Sequence, residues 1–207
     1  MTKFEFQAIG TKWVIDINQK LEDGKKAELF KKINDRVVEF DLAYSRFRLD
    51  SLVTLMSQKS GDYILPPDAD EMISLYKKMY DVTGGLVTPL IAQVLVDAGY
   101  DANYSLIQKP LTKPLPWDKV LKWQNPKLTL VSPALLDFGA GGKGYLVDIV
   151  SEILKENGID SYCVDAGGDM RYRSFENKKF CIGLEHPSDL IQDIENALKQ
   201  LNTPQLE

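Results

Sequence analysis

The chain has 207 residues, with 25 Lys and Arg against 30 Asp and Glu, a formal charge of −5, and 44% hydrophobic against 27% charged residues. That balance predicts a folded globular chain of one domain over residues 1–207, and its mild acidity argues against a nucleic-acid binder, which usually carries a basic face. One His and two Cys exclude a Cys₂His₂ or His₃ metal centre within the chain. No apolar run approaches the ~18 residues of a membrane span, and Met1-Thr2-Lys3-Phe4-Glu5-Phe6 is no signal peptide, so the sequence as it stands predicts a cytoplasmic protein.

In chain order, Phe4 to Ile9 reads as a strand and Gly10-Thr11 as a turn. A second strand follows in which Trp13, Ile15 and Ile17 alternate with Lys12, Val14 and Asp16. After Asp23-Gly24, Phe30, Ile33, Val37, Phe40 and Tyr44 recur at spacings of three and four, the stripe of an amphipathic helix. The stretch Tyr44 to Ser51 has no clear period. Pro66-Pro67-Asp68 starts a second helix with the stripe Met72, Leu75, Tyr76, Met79 and Tyr80, stopped by Thr83-Gly84-Gly85. A compact turn and helix runs from Thr88-Pro89-Leu90 to Leu95 and ends at Ala98-Gly99-Tyr100.

Pro110, Pro114 and Pro116 make the stretch from Lys109 to Trp117 a surface loop. Lys127 to Val131 is a short strand. Ala134 to Phe138 leads into the glycine-rich step 139–144, read as lying between a strand and a helix. The helix buries Leu146, Ile149, Val150, Ile153 and Leu154 and stops at Asn157-Gly158. Strands over Ser161 to Asp165, Met170 to Arg173 and Phe180 to Leu184 follow, then a tail helix from Asp189 through Leu198. Hairpins mixed with helices predict an α+β fold with mixed or antiparallel sheets and flanking helices, instead of a doubly wound sheet.

The chemistry concentrates at glycines. Gly139, Gly141, Gly142 and Gly144 put bare amides at a helix N-terminus, where unpaired N–H groups and the helix dipole favour an anion, and Lys143 adds a full positive charge. Set against this is a tight turn that merely needs small residues. Walker A fails, because Gly144 follows Gly142-Lys143 where Ser or Thr is required. Gly139-x-Gly141-x-x-Gly144 satisfies the dinucleotide fingerprint literally, but too little βαβ pattern surrounds it.

In Asp165-Ala166-Gly167-Gly168-Asp169, two carboxylates flank a turn; they suit Mg²⁺ or a ribose, or one of them caps the turn. Phe47 between Arg46 and Arg48 suits a planar anionic ligand, or closes the core under the preceding helix. Cys163 and Cys181 lie in apolar strand-like runs and read as reduced core thiols; His186 has no nucleophile motif beside it.

Together these segments resemble the ApbE family of FAD:protein FMN transferases. The resemblance runs from Ala8-Ile9-Gly10-Thr11 through Ser45-Arg46-Phe47-Arg48-Leu49-Asp50-Ser51. It continues through Thr83-Gly84-Gly85-Leu86-Val87-Thr88-Pro89 and Asp137-Phe138-Gly139-Ala140-Gly141-Gly142-Lys143-Gly144-Tyr145-Leu146-Val147-Asp148 to Asp165-Ala166-Gly167-Gly168-Asp169. It implies an ApbE-like (T-fold-like) architecture and an enzyme that uses FAD and Mg²⁺, moving FMN onto a Thr or Ser of an acceptor protein, typically a subunit of a redox complex, with release of AMP. A non-catalytic FAD binder and an FAD pyrophosphatase are the alternatives that share this site.

By motif match, Phe47 takes the aromatic position near the isoalloxazine, with Ser45, Arg48 and Ser51 shaping the pocket. Thr11, Thr88, Gly141, Gly142, Gly168 and Asp169 belong to the nucleotide site. Lys143 meets the pyrophosphate as the catalytic residue, and the Gly142 carbonyl is a metal ligand. Ile9 stands where the family usually has Met. Family members continue beyond the equivalent of Pro187 with a His-x-x-Asp-Pro-like motif and an Asp plus a Thr or Ser that complete the metal site, so against the family this is either a truncated sequence or a shortened member with an incomplete metal site. The family is often exported or membrane-anchored, whereas no lipobox is present here.

Overall fold

The structure is a computed structural model of the chain and describes residues 1–67, 69–174 and 182–183. Met1–Phe175 forms one compact unit and Glu176–Glu207 a second. Cys181, His186, the strand expected over 180–184 and the tail helix expected over 189–198 fall outside the described residues, save Ile182 and Gly183, which carry no regular structure.

Strands β1 (Thr2–Ala8) and β2 (Thr11–Ile17) form the expected hairpin, with Trp13, Ile15 and Ile17 fully buried. Period-2 alternation sends these three to one face, where each contributes on the order of 1.5–3 kcal/mol by leaving water. Helix α1 (Asp23–Tyr44) covers that core with Leu29, Ile33, Val37, Phe40, Ala43 and Tyr44, while Phe30 stacks on Phe4 with centroids 5.4 Å apart. Far along the chain, α6 (Gly139–Glu156) packs on α1 and supplies Leu146, Val147, Val150 and Leu154 to the same cluster. Strands β6 (Tyr162–Ala166) and β7 (Asp169–Arg173) complete the sheet in the order β1-β2-β6-β7.

A second sheet, β3 (Gly61–Ile64), β5 (Lys127–Leu130) and β4 (Leu121–Gln124), is ordered β3-β5-β4. Three short helices complete the unit: α2 (Leu52–Met56), α4 (Ala92–Asp97) and α5 (Trp117–Val120). Helix α3 (Ala69–Val82) lies beside the second sheet, where Asp70 accepts the Trp123 indole N–H at 2.7 Å. Every described strand pairing is antiparallel, so the fold is α+β and a doubly wound Rossmann sheet is excluded. No helix among the described residues is long and apolar enough to cross a membrane.

Three expectations are corrected. No strand precedes the glycine-rich step: residues 131–138 are irregular, and the glycines form the first turns of α6 itself. In α3 the buried set is Ala69, Met72, Ile73 and Tyr76, with Leu75 half exposed, because Tyr76 packs edge-on against Phe138 and rotates that face inward. Helices α2 and α5 and strands β3 and β4 occupy stretches in which no element was read; at four or five residues each, they are too short to show a period.

Candidate functional site

The motif segments meet around the N-terminal turns of α6. From one side come the loop after α1 and the loop after α3. The Asp137 amide donates to the Pro89 carbonyl at 2.8 Å, and the Asp137 carboxylate accepts the Gly139 amide at 2.6 Å. Arg46, in the loop after α1, donates from Nε to the other Asp137 oxygen and from Nη1 to the Tyr100 carbonyl at 2.8 Å. From the other side comes the β6–β7 turn. Asp169 reaches Gly144 so closely that a Cβ there would lie 3.9 Å from its Oδ1, and Gly167 lies against Thr11 of β2.

Asp165 caps that turn by accepting the Gly168 amide at 2.9 Å, which settles which carboxylate does so. Among the described residues, no group of three or more His, Cys, Asp or Glu is placed to hold a metal ion. Cys163 is a free, buried thiol whose pKa burial pushes up.

The amides at this helix end are not bare, contrary to the expectation from sequence. Gly139 N–H goes to Asp137, Gly141 N–H to the Tyr76 hydroxyl at 3.1 Å, and Gly142 N–H to the Phe138 carbonyl at 2.7 Å. The physical reason is that the first amides of a helix have no intrahelical partner, and here the Asp137 carboxylate from the preceding loop and the Tyr76 hydroxyl from α3 take two of them. Tyr76 is buried, which pushes its hydroxyl pKa up to about 12, and the nearby Asp137 charge adds to the rise. A Cβ on Gly142 would lie 3.5 Å from Phe40 and one on Gly141 3.7 Å from Tyr76, both ordinary van der Waals distances, so packing at these two positions does not itself demand glycine.

What remains available to an anion is Lys143, half-buried, with no hydrogen bond or salt bridge among the described residues. Gly142 is buried, and Gly141 opens onto a groove of about 530 Å³ lined also by Leu75 and Tyr145, by the carboxylates of Glu71, Asp148 and Glu152, and by Arg171, which is paired with Asp148.

Phe47 does not close the core under α1. Its ring stacks on Tyr104 with centroids 5.4 Å apart and planes within 5°, and meets Tyr100 edge-on at 5.5 Å. The Arg46 guanidinium sits 4.2 Å from the centroid of Phe47 and 4.6 Å from that of Tyr100. Tyr100 and Tyr104 are 42% and 54% exposed, so the three rings form an aromatic ledge open to solvent. Gly99 carries the chain tightly past Leu106 there: at φ +93°, a Cβ would lie 2.7 Å from backbone carbon.

The other candidates are held in local structure. Arg48 is paired with Asp50 at 2.8 Å and Asp41 at 3.1 Å; these bonds raise its pKa and hold Asp50 below the usual carboxylate range. Ser51 is fully buried and caps α2 by accepting the Thr54 amide. Ser45 is the last cap of α1, and Thr88 caps the 3-10 turn Pro89–Ile91 by accepting the Leu90 amide.

Sequence reasoning placed Arg46 only as a flank of Phe47 and Tyr76 only in a helical stripe, and it assigned no site role to Asp137, Tyr100 or Tyr104. The signal for one of them was present: Asp137 is a carboxylate in the apolar run Leu135-Leu136-Asp137-Phe138, and a charge placed there needs a partner.

A sequence profile described as the ApbE family matches residues 9–204. No curated protein sequence matches. Among solved structures, a point mutant of the flavin transferase ApbE from Vibrio cholerae superposes with TM-score 0.74 at 19% identity, covering 90% of this chain and 68% of that one. The apo flavinyl transferase ApbE from Pseudomonas stutzeri gives 0.72 at 18%, covering 88% and 64%. The ApbE protein from Thermotoga maritima gives 0.69 at 18%, covering 90% and 63%. The chain thus spans about two thirds of the length of the structures it matches. At such identities the likeness shows the fold.

Proposed function

The chain belongs to the ApbE family, and from that membership we propose that it is a flavin transferase that takes FAD as donor and moves FMN onto a Thr or Ser hydroxyl of an acceptor protein. The observation that carries this reading is the convergence of the separate motif segments on the N-terminal turns of α6, with the Lys143 cation left unpaired there among the described residues. The described residues fit a flavin nucleotide in two respects. The Phe47–Tyr100–Tyr104 ledge offers ring faces and edges, and Arg46 keeps a buried Nη2 without a partner among the described residues.

FAD, when bound, supplies the P–O–P linkage: a bond forms between the acceptor oxygen and the FMN phosphorus, the bond to the AMP phosphate breaks, and the hydroxyl proton ends on AMP. Lys143 faces the negative charge that grows on the linkage, assisted by the partial positive charge of the α6 N-terminus. The ring ledge orients the flavin end by stacking. Mg²⁺ belongs to the proposal as a requirement, with the Gly142 carbonyl as one ligand; the described residues do not by themselves assemble its remaining ligands. The acceptor in this reading is a redox-complex subunit.

The test is one incubation of the chain with FAD, Mg²⁺ and a Thr-containing acceptor peptide, with covalently yellow peptide, free FMN and AMP assayed together. Yellow peptide and AMP in equal amounts are expected. FMN and AMP without labelled peptide would make the protein an FAD pyrophosphatase, and FAD retained with no AMP would make it a binding protein.

A further inference from the structure

We propose that Arg46 is a positioning residue that cancels the carboxylate charge of Asp137 at the mouth of α6, so that this helix end accepts a diphosphate instead of repelling it. The inference rests on reading the α6 N-terminus as the nucleotide site.

Asp137 is itself an anion seated on the helix end, with one oxygen on the Gly139 amide at 2.6 Å. A full negative charge outweighs the roughly half charge of a helix N-terminus. Left alone, Asp137 would offset the charge of Lys143 and turn away a second anion. Arg46 removes that obstacle, because its Nε donates to the other Asp137 oxygen. The Arg46 side chain is 2% exposed, and Asp137 12%, so the compensation is poorly screened by water.

The guanidinium is also fixed in place, by the Tyr100 carbonyl on Nη1 and by the Phe47 and Tyr100 rings at 4.2 and 4.6 Å. It therefore ties the ring ledge to the glycine segment through a single side chain. A guanidinium with only a structural task would have its donors satisfied, whereas Nη2 is buried and has no acceptor among the described residues. That donor is free for a ligand oxygen.

The experiment separates charge from shape. ADP, a diphosphate without a flavin, and riboflavin, a flavin without a phosphate, are titrated onto the full chain and onto Arg46→Lys, Arg46→Gln and Arg46→Gln/Asp137→Asn. Arg46→Gln keeps a donor but leaves Asp137 charged, and is expected to weaken ADP binding about tenfold or more while riboflavin stays within twofold. Arg46→Lys is expected to hold ADP within about threefold, and the double variant to recover most of the loss.

Equal loss for both ligands, no loss for ADP, or no recovery in the double variant would overturn the proposal. Should Arg46→Gln fail to fold, Asp137→Asn alone decides: it keeps an acceptor for Gly139, and ADP affinity is expected to rise at least threefold, with no rise counting against the idea. A wild-type chain that binds ADP while the variants ignore charge refutes the role of Arg46 only. A wild type that binds neither ADP nor FAD refutes the nucleotide reading together with it.

Discussion

The hydroxyl of Tyr76 on α3 accepts the amide of Gly141 on α6 at 3.1 Å, joining residues 65 positions apart at the end of the helix that carries Lys143. Burial raises the Tyr76 pKa to about 12, while an unfolded chain titrates near 10. Below pH 10 both states hold the proton and the group contributes nothing to pH dependence. Between 10 and 12 only the unfolded chain releases it, so stability falls by roughly 1.4 kcal/mol per pH unit across that window. Tyr76→Phe is expected to cost about 1 kcal/mol at pH 7 through the lost bond, and to flatten the alkaline slope, as read by urea denaturation at pH 7, 10 and 11.

Gly167 and Thr11 meet more tightly than any side chain would allow. A Cβ at Gly167 would lie 2.0 Å from the Thr11 Oγ1, at φ +66°. Gly167→Ala therefore combines a left-handed backbone with a clash and is expected to destabilise by about 2–4 kcal/mol. Adding Thr11→Ala removes the hydroxyl but leaves the backbone strain, so the double variant should regain about half, a coupling measurable as a double-mutant cycle in thermal unfolding.

The loop that presents Tyr104 is held by two carboxylates. Asp97 accepts the Gln93 side chain at 2.8 Å and the Thr112 amide at 3.0 Å, and Asp101 accepts the Ser105 hydroxyl at 2.5 Å and the Asn103 amide at 2.9 Å. Bonds from Thr112 and Gln93 hold the pKa of Asp97 below the usual carboxylate range, and bonds from Ser105 do the same for Asp101. Folded pKa values lowered in this way give stability that is present above about pH 4 and is lost as the pH falls through the lowered values. Amide exchange of Asn103 and Ser105 is expected to accelerate below pH 4 before the core opens, and Asp101→Asn should show the faster exchange already at pH 7.

Lys143 makes no hydrogen bond or salt bridge among the described residues, so removing it should leave the fold intact. Lys143→Ala is expected to shift the melting temperature by no more than about a degree. It should lower FMN transfer by on the order of 100-fold, the scale of losing one preorganised charge beside a reacting group. Transfer at the wild-type rate would remove Lys143 from the mechanism.

Much of the scaffold was legible because its signals are local. The alternation at Trp13, Ile15 and Ile17 and the spacing of Ile33, Val37 and Phe40 each specify an element and the face it buries. In α3 the choice between Leu75 and Ile73 was not legible, since both fit a helical stripe and the tertiary contact of Tyr76 with Phe138 decides.

At the site, sequence located the glycines, Lys143 and Phe47, but not the groups that surround them. Whether an amide at Gly141 is free depends on Tyr76, which belongs to another helix, and the partner of Asp137 lies in the loop after α1. No local pattern encodes such pairings. The capping roles of Ser51 and Thr88 are local and follow the ordinary preference of hydroxyl side chains for helix starts.

The strand order β1-β2-β6-β7 also constrains the route to the native state. The outer neighbour of β2 is β6, in the register Trp13 to Ala166, and it is synthesised only after helices α1 to α6 and the whole second sheet have emerged. The hairpin must therefore wait with one edge unpaired through most of translation, and closing that long loop sets a slow, non-local step in folding. Substitutions that blunt the waiting edge should raise soluble yield in the cell even where they leave equilibrium stability unchanged.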